Sequence, residues 1–395
     1  MTQALPLDGI TVVSIEQAIA GPFATRQLAD LGARVIKVER PGVGDFARSY
    51  DTTVKGLASH FVWTNRSKQS LTLDLKTPEG IDVLERLFAR ADVCLHNLAP
   101  GAMARLGFGS AALRERYPRL VICEISGYGT SGPYRDKKAY DLLVQSEAGL
   151  VSITGTPETP SKVGISVADI AAGMYAFSSI LAALLRRAST GAGAVLDISM
   201  FDALAEWMGY AAYYTDYGGT TLPRTGARHA AIAPYGPYTA GDGQVVYLGL
   251  QNDREWTRFC RDVLARPDME SDARFSSGAL RVENQAALDA IITSTFAALT
   301  AEEVVRRLEA AQIANARMNS VAEFIAHPQL AARQKWRLVG SPAGPLRALI
   351  PPFGFDDAEP RMDPIPALGE HTEPILRELG IDATTIASWR KAGIV

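Results

Sequence analysis

Cysteine is scarce in this sequence: Cys94, Cys123 and Cys260 are widely spaced and odd in number. That excludes a disulfide framework and reads as reduced, buried thiols of a cytoplasmic protein. Five histidines stand without ligand spacing, so no metal site is expected. The net charge of -3 gives no global pull toward nucleic acid or an anionic membrane, and an anionic ligand would need local basic residues. No run of about 18 apolar residues occurs, so no transmembrane helix is expected. The opening MTQALPLDGITVVSI lacks a basic stretch, an apolar stretch and a cleavage site, so no signal peptide is expected. Walker-type loops, GxSxG and HExxH are also missing, which removes the common nucleotide and hydrolase readings. One GxGxxG match, Gly127 to Gly132, is followed by Pro133 and the polar stretch YRDKK. A dinucleotide fingerprint needs an apolar helix there, so the segment reads as a loop.

What is present is a repeated strand–helix alternation. Gly9–Ile15 is a β-branched run, Phe23–Leu31 has helical spacing, and Ala33–Glu39 is a second strand. Further strands are expected at Leu71–Leu75, Asp92–His96, Leu120–Ser126 and Val195–Ile198, with a helix opening at Pro78. A long helix rich in small residues, Asp169–Arg187, needs close neighbours. The segment from about Thr215 to Ala231 reads as a linker. A hairpin turning at Gly241-Asp242-Gly243 follows, then helices near Glu255–Leu264 and Asn284–Leu299. Thr300 with Glu303 makes a capping box for another helix. The alternation predicts an α/β chain with a doubly wound, Rossmann-like large domain and a smaller α+β domain. We expect the large domain over 1–215, the linker and small domain over 216–330, and a return segment over 331–395.

Such sheets bind ligands beyond the carboxyl ends of their strands. Arg40, Lys76, Arg105 and Lys138 all fall in loops after expected strands, and Asn97 opens the loop that Arg105 closes. Singly, each reads as a solvated surface residue. Together they suit an anionic, nucleotide-like ligand, with arginine able to grip phosphate with two bonds.

The stretches AGPFATRQLADLGARVIKVERPGVGDFAR, NRSKQSLTLDLKTPEG, ADVCLHNLAPGAMARLGFG, ISGYGTSGPYRDKKAYD and PALGEHTEPILRELG resemble the class III CoA-transferases. That family includes formyl-CoA:oxalate, carnitine and bile-acid CoA-transferases and the related α-methylacyl-CoA racemases. The resemblance runs from about residue 6 to the last residue. It implies an interlocked homodimer in which each subunit forms a ring threaded by its partner. It also implies that CoA thioester is a substrate, with no permanently bound cofactor, no nucleic acid and no membrane as partner. The pattern G-x-x-x-x-D-x-x-x-G, Gly164 to Gly173, implies Asp169 as the nucleophile that carries CoA as an aspartyl thioester; helix N-capping is the alternative role for this aspartate. With a reference pKa of about 3.9, such a carboxylate is ionised at neutral pH without a helper base.

Tyr140 stands where the racemases carry a histidine before an aspartate. A phenol with a reference pKa of about 10 is a poor proton shuttle at neutral pH, which argues for transfer over racemisation; a core aromatic is the alternative. Asp141 aligns with an acidic residue near the nucleophile. By resemblance, Arg40, Leu73, Lys76, Asn97, Arg105 and Lys138 fall on positions that contact CoA, with Leu73 bordering the adenine. The tetraglycine loop of the oxalate enzyme is absent. Arg228-His229 stands there instead, suited to a second carboxylate on the acceptor or else lying on a linker surface. The segment from Tyr140 to Ser166 looks most like the mesaconyl-CoA and itaconate branch, with succinyl-CoA as donor. Competing expectations are CoA transfer between the two carboxylates of one mesaconate, an acyl-CoA racemase, a transferase for monocarboxylates, and a non-catalytic CoA-binding protein.

Overall fold

The computed structural model describes residues 4–395. They form two compact units. The larger comprises residues up to Gly149, Val163–Tyr210 and Ala331–Val395; the smaller comprises Leu150–Lys162 and Ala211–Leu330. The segment Leu150–Lys162 was expected in the large domain, but it belongs to the smaller unit. The Gly155 carbonyl there accepts the Gly226 N–H at 2.8 Å, and Arg224 donates to the Ser152, Thr156 and Pro157 carbonyls.

In the larger unit the chain runs β1 (Thr11–Ile15), α1 (Ala20–Asp30), β2 (Arg34–Glu39), β3 (Lys68–Thr72), α2 (Pro78–Phe88), β4 (Val93–His96), β5 (Val121–Ser126), α3 (Asp141–Glu147), α4 (Val167–Thr190) and β6 (Ala194–Ser199). The six strands form one parallel sheet in the order β3-β2-β1-β4-β5-β6. Val12, Val13, Val35, Ile36, Val93, Leu95, Val121 and Ile122 are all buried, as strands covered on both faces require. Strand order reverses between β1 and β4, which opens a crevice at their carboxyl ends.

Three sequence expectations shift. β3 spans Lys68–Thr72 rather than Leu71–Leu75, because Lys68, Gln69 and Ser70 pair in register with Val35, Ile36 and Lys37 of β2. A strand that opens on a buried lysine carries no apolar run to mark its start. α4 begins at Val167 and continues to Thr190, where Gly191 adopts φ +73° and closes it. This helix is long and apolar enough to cross a membrane by length and composition alone, a test that buried core helices also pass. Here it packs against α1, β5 and β6. The GxGxxG segment is irregular backbone, with no helix before α3.

The smaller unit holds an antiparallel sheet of β7 (Tyr235–Thr239), β8 (Val245–Gly249) and β9 (Ala314–Arg317), with β8 central. Its core gathers Tyr238, Val246, Trp256, Phe259, Phe275, Ile292 and Phe296. The expected linker is partly helical, since Gly209–Gly218 forms a helix. Thr300 caps its helix at the Glu303 N–H, but the Glu303 carboxylate turns to Arg306 and Arg307, so only half the expected capping box forms. A complete box occurs at Ser320 and Glu323.

The return segment adds a hairpin, β10 (Trp336–Val339) with β11 (Leu346–Leu349), and helices Thr372–Glu378 and Ala383–Lys391. It is stitched to the β3 region. His371 N donates to the Ser70 carbonyl at 2.9 Å, Thr72 N to Thr372 Oγ1 at 2.9 Å, and Asp74 N to the Ile394 carbonyl at 2.7 Å.

Candidate active site

The crevice between β1 and β4 is lined by the loop that joins β1 to α1. Each residue at its start is gripped. The Asn97 side chain, just beyond β4, accepts the Gln17 N–H at 2.8 Å and donates to the Gln17 carbonyl at 2.8 Å. Gln17 Oε1 accepts the Phe46 N–H at 3.1 Å. Ala18 sits at φ +61°, a region that alanine rarely adopts, and its N–H donates to Asp45 Oδ1 at 3.0 Å. A non-glycine residue persists there only when its surroundings over-determine it, and these contacts do so.

The loop brings the Ala20 N–H to the carboxylate of Asp169, in the first turn of α4. The approach is close: a Cβ on Gly173, one turn further along α4, would lie 2.8 Å from the Ala20 carbonyl oxygen. Asp169 is therefore not the N-cap; that position is Ser166, whose side chain makes no capping bond. The cap comes from elsewhere. Asp141, the first residue of α3, accepts the Ala168 N–H at 2.8 Å through Oδ1. Its other oxygen accepts from Gln145 Nε2 at 2.7 Å, and Gln145 Oε1 accepts the Val163 N–H at 2.9 Å.

Burial first, and the negative charge of Asp141 second, push the Asp169 carboxyl up to about 7, against the opposing pull of the Ala20 N–H. This corrects the expectation of an ordinary carboxylate fully ionised at neutral pH. Tyr50 lies within electrostatic reach. Its phenol is pushed up to about 12 by burial and then by Asp45, Asp169 and Tyr140. Tyr140 is 68% exposed, which rules out the core-aromatic role.

Arg40, Lys76, Arg105 and Lys138 are exposed and follow β2, β3, β4 and β5. Among the described residues none of the four has an ion-pair partner. Cations beside them do: Arg48 pairs with Glu39, Arg135 with Asp136, and Lys137 with Glu147. Arg105 also lines a cavity of about 530 Å³ over the ends of β4 and β5, with His96, Ser110 and Glu124. Two expected contacts are corrected. Leu73 is 1% exposed in the core, so its side chain offers a ligand no surface. Asn97 spends its amide on the Gln17 backbone rather than presenting it outward.

In the smaller unit, Arg228 is held by Asp289 at 3.1 Å and by the Pro237 carbonyl, with its guanidinium over the Tyr238 ring. This internal pairing corrects the expectation of an arginine free for a second carboxylate. His229 stacks on Tyr235, and its Nδ1 accepts the Ala231 N–H at 3.1 Å, so the neutral ring carries its proton on Nε2.

Sequence reasoning missed Tyr50, the main-chain donor of Ala20 and the Asp141 cap. Main-chain donors leave no residue signature. One signal was available: Glu16, an acidic residue continuing the apolar run of β1, implies buried basic partners.

A parallel sheet with this strand order and an aspartate delivered to its switch point agree with comparisons against known proteins. A family model described as CoA-transferase family III matches residues 7–372. Human succinyl-CoA:glutarate CoA-transferase is 31% identical over 100% of this chain and 91% of its own length. Acetyl-CoA:oxalate CoA-transferase of Acetobacter aceti is 34% identical over 90% and 91%. Succinyl-CoA:mesaconate CoA-transferase of Haloarcula marismortui is 32% identical over 96% and 98%. Among solved structures, a CAIB/BAIF family protein from Brucella suis superposes with a TM-score of 0.82 at 33% identity, covering 95% of this chain and 100% of that one. With the match spanning both units, the chain belongs to CoA-transferase family III and is a CoA-transferase.

Proposed function

We propose that this enzyme moves CoA from an acyl-CoA, succinyl-CoA foremost, to a small dicarboxylate through an aspartyl-CoA thioester on Asp169. The observation that carries the reading is the Asp169 carboxyl itself, half-buried at the switch point and clamped beside one main-chain donor, with its pKa pushed up to about 7. A carboxylate of raised basicity, stripped of water, is a stronger nucleophile than a solvated one. Its ionised oxygen attacks the acyl carbonyl, the C–S bond breaks, and CoA thiolate leaves a mixed anhydride behind. The thiolate then attacks the Asp169 carbonyl carbon, releasing the donor acid as its carboxylate and leaving aspartyl-CoA. The acceptor carboxylate repeats both steps in reverse. Every step exchanges one activated acyl for another, so no nucleoside triphosphate is consumed.

Asp141 supports this chemistry as a positioning carboxylate: it fixes the first turn of α4 and raises the basicity of Asp169. The unpaired Arg40, Lys76, Arg105 and Lys138 suit the phosphates of CoA. Relatives named for glutarate and mesaconate support a dicarboxylate acceptor, with itaconate a member of the same chemical class. His229, with its Nε2–H directed away from the Nδ1 contact, suits the second carboxylate of such an acceptor. Nothing about Tyr140 favours racemisation. We further propose an interlocked homodimer in the cytoplasm. Exposed Leu185 and Trp207 on the larger unit, and Tyr213 and Tyr217 on the smaller, support a covering partner. Light scattering on the purified protein reads that association directly.

The chemical step is tested by incubating the enzyme with succinyl-CoA alone, trapping with hydroxylamine and mapping the product by mass spectrometry. A hydroxamate on Asp169 is expected, after which glutarate, mesaconate and itaconate are compared as acceptors. CoA binding with Asp169 left unmodified by every dicarboxylyl-CoA tried would overturn the covalent route.

A further inference from the structure

Beneath the loop between β1 and α1 lies a group of buried charges that the transfer chemistry does not use. Lys68, at the start of β3, is 2% exposed, and Glu16, just past β1, is 0% exposed. Lys68 Nζ donates to Glu16 Oε1 at 2.7 Å, to the Pro22 carbonyl at 2.9 Å and to Asn65 Oδ1 at 3.1 Å. All three ammonium hydrogens are used. The Glu16 carboxylate also accepts from Thr25 Oγ1 at 2.8 Å and faces Lys37 Nζ at 3.5 Å. Lys37 pairs with Asp45 at 2.7 Å, and Arg48 with Glu39 at 2.8 Å. Three acids thus balance three bases.

A buried ion pair adds little stability that well-packed apolar side chains would not supply. Position is what this one supplies. One ammonium holds the loop at both ends, at Glu16 before it and at Pro22 after it. Between those points lie the strained Ala18 and the Ala20 N–H that reaches Asp169. We propose that Lys68 and Glu16 are positioning residues for the nucleophile, fixing the loop from Glu16 to Pro22 and through it the Ala20 N–H that stabilises ionised Asp169. The inference rests on the reading of Asp169 as nucleophile, but its test does not.

Other charges face both ends of this linkage. Around Lys68 stand Glu16, Lys37 and Asp45, with Asp30 and its arginines Arg26 and Arg66 beyond. Around Asp169 stand Asp141, Tyr50 and Tyr140. Burial pulls Lys68 down to about 7, so alkaline pH itself would weaken the tie.

The test compares wild type with Lys68→Met and with the double variant Glu16→Leu/Lys68→Met, which keeps the remaining charges in balance if the single variant fails to fold. Asp169 titration is read without substrate, from the pH dependence of carbodiimide labelling at that residue by mass spectrometry. In the folded double variant the Asp169 midpoint should rise by about half to one unit, because a hydrogen bond to the ionised form is lost. The acid limb of kcat should move with it, and kcat should fall about tenfold to a hundredfold while KM for acyl-CoA changes little. A folded double variant with an unchanged Asp169 midpoint overturns the proposal. If the midpoint moves but wild-type Asp169 never becomes acylated, the positioning role stands and the covalent reading fails.

Discussion

At the scale of single residues, Asp169 is held in a conflicted state. Burial and the charge of Asp141 push its carboxyl up to about 7 in the fold, against about 3.9 in an unfolded chain. A raised acid pKa leaves folding unpenalised below pH 4, weakens it progressively as pH rises between the two values, and leaves it weakened above 7. Asp169→Asn should therefore melt with wild type at pH 4 and be more stable at pH 8, by about 1–2 kcal/mol after allowance for partial exposure. Transfer should fall by about a thousandfold or more in the same variant, measured as CoA exchange. Asp141→Asn makes a different change. The amide oxygen can still accept the Ala168 N–H, but the charge facing Asp169 is gone. Its acid limb of kcat should move to lower pH by about half to one unit. Asp141→Ala should instead lose about 1 kcal/mol of stability, because the cap is lost as well.

At the scale of elements, α4 is fixed at both ends and along one face. Its carboxyl end carries Arg187, whose guanidinium donates to the Asp92 and Arg119 carbonyls and to Asp92 Oδ1 at 2.8 Å, while Asp92 Oδ2 accepts the Thr11 N–H. Arg187 thereby ties the helix to the amino ends of β1, β4 and β5. Arg187→Ala should cost about 2–4 kcal/mol in denaturant unfolding, since it leaves Asp92 without its cation and the Arg119 carbonyl without a donor. Gly173→Val should force α4 away from the Ala20 carbonyl, costing about 1–3 kcal/mol and removing transfer activity, as unfolding and kinetic measurements on one preparation would show. The small-residue composition of this helix was legible in the sequence as a demand for close neighbours. The identity of the closest neighbour was not, because it is a backbone carbonyl 153 positions away in the chain, and no side chain marks it. β3 failed for the opposite reason: Lys68 reads as a surface residue until Glu16 is seen to meet it.

At the scale of the whole molecule, alternating strands and helices were enough to read an α/β sheet with its ligand edge. The segment Leu150–Lys162 could not be assigned from sequence, since contacts remote in the chain, such as its hydrogen bonds to Arg224 and Gly226, place it in the smaller unit. The four unpaired cations give the larger unit a basic edge in a chain of net charge -3. Arg105→Glu should raise KM for acyl-CoA by about tenfold or more at low salt with kcat nearly unchanged, and the difference should shrink in 0.5 M salt. The joining of β3 to the return segment has a consequence in time. Ser70, Thr72 and Asp74 find their partners in His371, Thr372 and Ile394, far later in the chain. On the ribosome the β3 edge of the sheet stays uncovered until His371 and Thr372 have emerged. Closure of that edge is thus a late event in synthesis, and a chain stopped before His371 leaves an open strand edge to the cell's chaperones.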